Sequence, residues 1–190
     1  MASAITHFIV AAGLALPCAE FAALRPALRP VLPRWAVPVT AGLFAVAPDL
    51  DTWAMMALDI PRGSLFSHRG FFHSPFFLTL LALAVASLVA RGRAVFLLAA
   101  VWAGAAITHP LLDMLTDGGS GVMLFFPFST GRFFFPWRPI RVSPLSIARF
   151  FDRAGPILWS ELPFCAAATL LGLALRRITA RAGEPRPTRP

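Results

Sequence analysis

Long apolar blocks, separated by connections that contain arginine, constrain this chain more than any other feature of its sequence. Five blocks stand out, over residues 5–24, 35–48, 75–90, 94–115 and 156–175. A membrane-spanning helix needs about 20 consecutive apolar residues. The second block is shorter, which favours a tilted helix or one packed inside a bundle. The pattern therefore predicts an all-α, polytopic membrane bundle of about five segments over residues 1–175.

The composition agrees with a membrane protein. The chain is 57% hydrophobic with a mean hydropathy of +0.71, and 14% of its residues are charged, against about 25% in soluble domains. Its net charge of +8 comes from arginines between or after the apolar blocks, where they meet lipid phosphates. We expect membrane lipids as partners and no nucleic acid. Cys18 and Cys165 lie far apart inside apolar blocks and predict no disulfide.

The arginines also predict an orientation. Ten lie in connections that share one side of the membrane and seven on the other, so the positive-inside rule places the N-terminus outside and the C-terminus in the cytoplasm. No basic residue precedes Arg25, so we read the first block as a retained helix and not a signal peptide. The Arg- and Pro-rich residues 176–190 predict a disordered cytoplasmic tail. Residues 116–155, rich in proline and aromatics, predict an outer loop that either covers a site or anchors the chain at the membrane surface.

Nearly all of the acidic residues and histidines that could carry chemistry fall at the predicted outer end. They lie at the starts of odd blocks and the ends of even blocks: His7, Asp49, Asp51, His68, His73, His109, Asp113, Asp117 and Glu161. His109 and Asp113 are four residues apart and share a helix face, and Asp117 continues the stripe. Buried carboxylates are costly unless they are paired or coordinated. Arg69 is the only arginine within these motifs, so the cluster predicts a bound divalent metal.

Mixed imidazole and carboxylate ligands suit zinc, and also manganese or iron. We expect one or two ions, with ligands among His7, Asp49, Asp51, His68, His73, His109 and Asp113. Three further residues are expected to take part in catalysis: Glu161 as a general base, Arg69 as a phosphate-binding group, and Asp117 as a further ligand or a partner that orients a histidine. Other arginines that can hold a phosphate are Arg132, Arg138 and Arg141. Taken singly, His7 and Asp49 also fit helix caps, and Asp117 fits a turn.

Four short motifs carry a family resemblance. They are Thr6-His7, Pro48-Asp49-Leu50-Asp51, His68-Arg69-Gly70 followed by His73-Ser74, and His109 to Asp113 running on to Gly119. Together they resemble the YdjM-like family of bacterial membrane-bound metal-dependent hydrolases, over roughly the first two-thirds of the chain. The resemblance implies an inner-membrane protein with metal-dependent hydrolase activity. The His109 and Asp113 pair is also similar to the His-x-x-x-Asp pair of zinc-dependent phospholipases C, which implies phosphoester chemistry.

These observations predict a membrane-bound metal-dependent hydrolase of a lipid or lipid-linked phosphoester, at the outer face of the inner membrane. Two alternatives stay open. A transporter for divalent metal or protons needs polar residues at several depths, whereas the third and fifth blocks are apolar in their inner halves. A non-catalytic protein with a structural metal site has a closed coordination shell, which a sequence does not reveal. The sequence predicts no particular oligomeric state.

Overall fold

Helices account for nearly all regular structure in the residues that are described. The computed structural model describes residues 1–20 and 25–182. The α-helices are α1 (Ala4–Ala15), α2 (Arg25–Leu28), α3 (Ala36–Val46), α4 (Asp51–Ala57), α5 (Pro75–Val89), α6 (Arg93–Met114) and α7 (Ile147–Ala182). Short 3₁₀ turns cover Leu16–Ala19, Ala47–Leu50 and Phe71–His73. Only two isolated β-bridges occur in this part of the chain, so the all-α prediction is confirmed.

Small residues bring the central helices together. Helix α1 packs against α3, α6 and α7, while α5 packs along α6. The contact of α1, α3 and α6 is made by alanines, among them Ala11, Ala41, Ala45 and Ala105. Small side chains allow helix backbones to approach closely, as they do in membrane bundles. This close packing fixes the ends of α1, α3 and α6 relative to one another.

Two glycines set the distance between α1 and α7. A Cβ atom added at Gly172 would collide with the carbonyl oxygen of Gly13, and one added at Gly13 would press on the backbone of Thr169. The crossing therefore requires that both positions lack a side chain. Nothing in the hydrophobic pattern marks these glycines, because they sit within apolar stretches like any other small residue.

Within the described residues, two helices are long and apolar enough to cross a membrane: α6 over Arg93–Met114, and α7 over Arg149–Arg181. The segments Ala4–Ala19 and Pro75–Val89 are apolar but shorter. Helix α3 has 11 residues and spans about 16 Å, against a hydrocarbon core of about 30 Å. The helices are compatible with a membrane bundle, but the count of five segments is not confirmed.

The largest boundary difference concerns α7. The sequence predicts an outer loop over residues 116–155 and a segment that begins at Pro156, but the helix begins at Ile147 and contains Pro156 and Pro163. An interior proline costs about 3 kcal/mol in a helix, yet membrane helices tolerate it because neighbouring groups satisfy the freed backbone. At its other end α7 continues from Leu175 to Ala182, so residues 176–182 of the predicted tail are helical. Residues 183–190 of that tail, and residues 21–24 of the first block, lie outside the described residues.

The connection between α6 and α7 folds back onto the end of the bundle. The backbone N–H of Met123 donates to the carbonyl oxygen of Arg69, and that of Phe135 donates to Met114. Phe128 and Trp137 nevertheless remain largely exposed. The connection therefore bonds to the end of α6 and to the segment before α5, and it also presents aromatic side chains outward. Its roles in covering a site and in anchoring the chain stay predictions.

Candidate metal centre

The predicted polar residues meet at one end of the bundle. His7 lies in the first turns of α1, Asp49 in the 3₁₀ turn after α3, His73 directly before α5, and His109 with Asp113 in the last turns of α6. Helix caps fix two of these positions. Ser3 caps α1 by accepting from the N–H of Thr6, and Ser74 caps α5 by accepting from Phe77. The starts of α1 and α5 and the ends of α3 and α6 therefore converge.

The cluster contains three overlapping groups of three residues each. Within a group, one ligand atom from each residue lies within 4.8 Å of the ligand atoms of the other two. The groups are His7 with His109 and Asp113, Asp49 with His73 and His109, and Asp51 with His68 and His73. All seven are residues that the sequence predicts as ligands. Each group combines imidazole nitrogen with carboxylate oxygen, the donor set of zinc and related transition metals. These buried groups could hold a metal ion.

His109 is oriented by the backbone of α3. Its Nδ1 lies 2.7 Å from the carbonyl oxygen of Ala45, and a carbonyl oxygen only accepts, so Nδ1 carries a proton. The other ring nitrogen, Nε2, faces Asp49 Oδ1 at 3.4 Å and Asp113 Oδ2 at 3.7 Å. The ring of His7 stacks on that of His109 with their centroids 3.6 Å apart. A backbone carbonyl that fixes the tautomer of a histidine is typical of metal sites.

Asp49 is the least satisfied group of the cluster. It is 7% exposed, and among the described residues neither of its oxygens has a hydrogen-bond partner. The same holds for both ring nitrogens of His7 and for Nε2 of His73 and His109. Burying an unpaired carboxylate costs several kcal/mol. A cation among these atoms removes that cost, so the residues fit a bound metal.

Asp113 is held from two sides. It accepts from Arg69 Nε at 2.9 Å and from the backbone N–H of Ala2 at 2.7 Å. The guanidinium of Arg69 also donates to Thr116 Oγ1 and to the carbonyl oxygen of Gly118. Arg69 is 1% exposed and adopts a positive φ of 64°. Arg69 therefore neutralises Asp113, and its role in binding a phosphate stays a prediction.

Asp51 lies between His68 and His73. His68 Nδ1 donates to Asp51 Oδ1 at 2.8 Å, and His73 Nδ1 lies 3.1 Å from Asp51 Oδ2. Burial raises the pKa of Asp51, but the two histidines outweigh it and lower this pKa to about 2. Burial lowers the pKa of His73, but Asp49 and Asp51 outweigh it and raise this pKa to about 9. In His68 burial prevails and lowers the pKa. Asp51 is thus an anion that orients His73.

Comparison with known proteins settles the family. The profile described as YdjM inner membrane protein matches residues 1–180. The chain belongs to the YdjM family. It is also similar to the inner membrane protein YbcI of Escherichia coli (strain K12), with 33% identity over 132 residues, which are 64% of this chain and 74% of that relative. No solved structure matches. Membership and the two long apolar helices support an inner-membrane location, as the sequence predicts.

In this YdjM-family chain, Glu161 lies apart from the three metal-binding groups. It is buried in α7, and its oxygens accept from the N–H and Oγ of Ser3, at 2.5 and 2.6 Å, and from Oγ1 of Thr6 at 2.8 Å. Three donors at the start of α1 hold one carboxylate, and the positive end of the helix dipole favours its charge. Glu161 therefore ties α7 to the helix that carries His7. Its catalytic role stays a prediction.

Asp117 does not continue the stripe of His109 and Asp113. Helix α6 ends at Met114, so the regular spacing on which that expectation depends stops before Asp117. Its Oδ1 instead accepts from the N–H of Val142 at 2.8 Å, and its own N–H donates to Ile140. Asp117 therefore lies in a turn, which is the alternative that the sequence analysis gave for it.

Two of the remaining arginines that the sequence proposes for phosphate, Arg132 and Arg138, have other partners. Arg132 donates to the carbonyl oxygen and hydroxyl of neighbouring serines, with Nη2 2.8 Å from Ser67 Oγ and 3.0 Å from the carbonyl oxygen of Ser64. It thereby clamps the connection after α6 to the segment before α5. Arg138 lies over the ring of Phe134 at 5.0 Å. The side chain of Arg141 borders a separate cavity beside Arg153.

Several contributors to the centre carry no signal in the sequence. The carbonyl of Ala45 and the backbone N–H of Ala2 act through the main chain, which every residue has. Thr116 carries a weak signal, because a threonine after a helix end can bond back to the last turn, and its Oγ1 does donate to the carbonyl of Asp113. Ser3 and Thr6 could have been noticed as a cap at the start of α1.

Proposed function

We propose that this chain is a membrane-bound metal-dependent hydrolase that acts on a lipid or lipid-linked phosphoester at the outer face of the inner membrane. The observation that carries the proposal is Asp49, a buried carboxylate without a hydrogen-bond donor among the described residues, which faces the Nε2 atoms of His73 and His109 at 3.8 and 3.4 Å. Such an arrangement is costly in a protein without metal and favourable in one that binds a cation.

Asp49, His73 and His109 form the principal binding group in this proposal. His7 and Asp113 approach the same Nε2 of His109, and they complete the shell on that side. Zinc is the ion we expect, because histidines with one or two carboxylates are its usual ligands. When bound, a divalent ion supplies Lewis-acid activation of water and of the phosphoryl oxygen.

The surrounding residues orient these ligands. Asp51 Oδ2 lies 3.1 Å from His73 Nδ1, and the carbonyl oxygen of Ala45 accepts from His109 Nδ1. The Nε2 atom of each ring therefore faces Asp49. Arg69 holds Asp113 in place. Because Glu161 is bound by three donors, we assign it the positioning of α1 and assign proton transfer to a carboxylate of the cluster itself.

A lipid substrate is supported by the surface around the centre. Leu50, Trp53, Phe66 and Phe151 are large apolar residues near this end of the bundle, and each is about half exposed or more. Aromatic and aliphatic side chains of this kind prefer the membrane interface. An outer location of this end rests on the distribution of the arginines.

The position of the cluster also favours hydrolysis over transport. The opposite end of the bundle carries a separate ion network, in which Glu20 contacts Arg34 and Arg176. Between the two ends the described core consists mainly of alanine and other apolar residues. An ion path needs polar groups at intermediate depths, so one polar end fits a surface reaction better.

The proposal is tested by metal content and hydrolysis together. Purified wild type, Asp49→Ala and His109→Ala are compared by elemental analysis and by release of phosphate or headgroup from a set of phospholipids and lipid phosphates. The matched control is Asp59→Asn, an exposed aspartate at a positive φ of 49° that asparagine also adopts. We expect bound metal and activity in wild type and Asp59→Asn, and neither in the two cluster variants. Wild type that binds no zinc, manganese or iron would contradict the proposal.

A further inference from the structure

A cationic cavity borders the metal centre on one side. Its volume is about 390 Å³, and Arg62, Arg153, His68 and Arg69 contribute to its wall. Among the described residues, no aspartate or glutamate lines it. Arg69 is already paired with Asp113, but Arg62 and Arg153 are exposed and make no hydrogen bond or ion pair with the described residues. This cavity, which we call the arginine cavity, therefore has two guanidinium groups available for an anion.

An aromatic cavity borders the centre on another side. Its volume is about 300 Å³, and Trp53, Phe150, Phe151 and Ile5 contribute apolar surface to it, while Asp49 also lines it. Trp53 and Phe151 are largely exposed. This second cavity, the aromatic cavity, offers flat apolar walls to a hydrocarbon chain directly beside the most costly carboxylate of the cluster.

The two cavities are parts of one continuous depression. Ser143, Pro144 and Leu145 line both of them. A third cavity of about 690 Å³ is lined by Trp53 and Arg62 together, and again by Pro144 and Leu145. A single molecule can therefore contact the arginine cavity, which His68 lines, at one end and the aromatic cavity, which Asp49 lines, at the other.

We infer that this depression binds an anionic phosphate-bearing amphiphile, with its headgroup at Arg62 and Arg153 and its acyl chain against Trp53 and Phe151. The inference rests on the proposed function and adds a specificity to it. Guanidinium groups pair with phosphate oxygens, whereas an ammonium group on the headgroup would find no carboxylate in the arginine cavity. The site therefore favours anionic headgroups, such as a phosphate monoester, over zwitterionic ones.

The size of the preference follows from the pairing. A charge-assisted hydrogen bond contributes about 1.5–3 kcal/mol, which corresponds to roughly tenfold to a hundredfold in affinity. We expect each of Arg62→Gln and Arg153→Gln to weaken binding of an anionic amphiphile about tenfold or more. Trp53→Ala and Phe151→Ala remove apolar contact, so they weaken every ligand with an acyl chain to a similar degree and leave the headgroup preference intact.

The experiment measures equilibrium binding to the full chain in nanodiscs of phosphatidylcholine, after treatment with a chelator so that no turnover occurs. A fluorescent lysophosphatidic acid is displaced by unlabelled lysophosphatidic acid, lysophosphatidylcholine, glycerol 3-phosphate or inorganic phosphate. Arg91→Gln, an exposed arginine between α5 and α6 that lines none of these cavities, is the matched control. We expect lysophosphatidic acid to bind at least about tenfold more tightly than the other three ligands.

Each outcome separates the two proposals. Loss of the preference in the Arg62 and Arg153 variants, with Arg91→Gln unchanged, supports the inference even if no hydrolysis is ever detected. Equal binding of lysophosphatidic acid and lysophosphatidylcholine by wild type overturns it, and hydrolysis can then still be established independently. Displacement by glycerol 3-phosphate as strong as that by lysophosphatidic acid also overturns it, because the acyl chain then contributes nothing.

Discussion

Replacement of Asp49 by asparagine should remove the stabilisation that metal gives the protein. In the metal-free state the cost of burying this carboxylate is opposed by His73, because Asp49 is one of the carboxylates that raise the pKa of His73 to about 9. A protonated His73 is then a cation 3.8 Å from Asp49 Oδ1. Asparagine keeps the shape but removes both the desolvation cost and this ion pair, and in buried ion pairs these two contributions are often of similar size. We therefore expect a metal-free Tm close to that of wild type.

With metal the two proteins should differ. An ion present at about 100 times its Kd stabilises the folded state by about 2.7 kcal/mol, or roughly 5–11 °C in Tm. Loss of an orienting partner of a ligand already costs about 10–100-fold in metal affinity, so loss of a ligand should cost at least about 100-fold. At the same metal concentration the stabilisation then falls to about 0.4 kcal/mol.

Thermal unfolding in mild detergent measures both effects. Wild type, Asp49→Asn and the control Asp59→Asn are scanned after chelation and again with added zinc. We expect the zinc-dependent rise in Tm in wild type and Asp59→Asn but not in Asp49→Asn. If Asp49→Asn retained the full zinc-dependent rise, Asp49 would not be a ligand. A metal-free Tm of Asp49→Asn far below or above that of wild type would refute the argument that desolvation and ion pairing offset each other.

Three further predictions concern other parts of the molecule. The pKa of His73 is about 9 in the metal-free protein, so below that pH an ion must displace its proton. Zinc affinity, measured against a fluorescent chelator, should therefore rise about tenfold per pH unit between roughly pH 6 and 9. A flat profile would exclude His73 as a ligand. Gly172→Ala should lower the free energy of unfolding by the roughly 1–3 kcal/mol of an overpacked contact, and so lower Tm, because its Cβ meets the backbone of α1. Gly104→Ala, with open space around it, should not. Glu161→Gln should destabilise by about 1–3 kcal/mol with little change in kcat, whereas loss of a general base would lower kcat by about 10²–10⁴-fold.

The meeting of the ligands at one end of the bundle could be predicted from the sequence. It depends only on whether each ligand lies at the start or the end of an odd- or even-numbered segment. In a bundle of helices that cross from one side to the other, the starts of alternate segments and the ends of the others share one end. His7, His73 and His109 follow that rule, although the count of five membrane segments is not confirmed. The spacing of His109 and Asp113 also transfers directly, because an α-helix puts residues four apart on one face.

The division of the ligands among the three groups could not be predicted from the sequence. Asp49 and Asp51 flank Leu50, and both are buried. In the structure a 3₁₀ turn ending at Leu50 leads directly into α4, and residues two apart on helical backbone face different directions. Asp49 therefore meets His109 while Asp51 meets His68, and Leu50 between them is exposed. Backbone geometry over three residues decides this division, and sequence periodicity does not contain it.

The division limits how many ions the centre can hold. His109 takes part in two of the three groups, but its Nδ1 is committed to the carbonyl of Ala45, so only Nε2 is available and one nitrogen binds one ion. His73 also takes part in two groups, and there Nδ1 is the atom that faces Asp51. If Nδ1 keeps its proton for Asp51, the third group serves to orient His73 and the centre holds a single ion. Two equivalents of metal in wild type would require His73 to lose that proton and bridge both ions, so the metal count itself distinguishes an orienting Asp51 from a coordinating one.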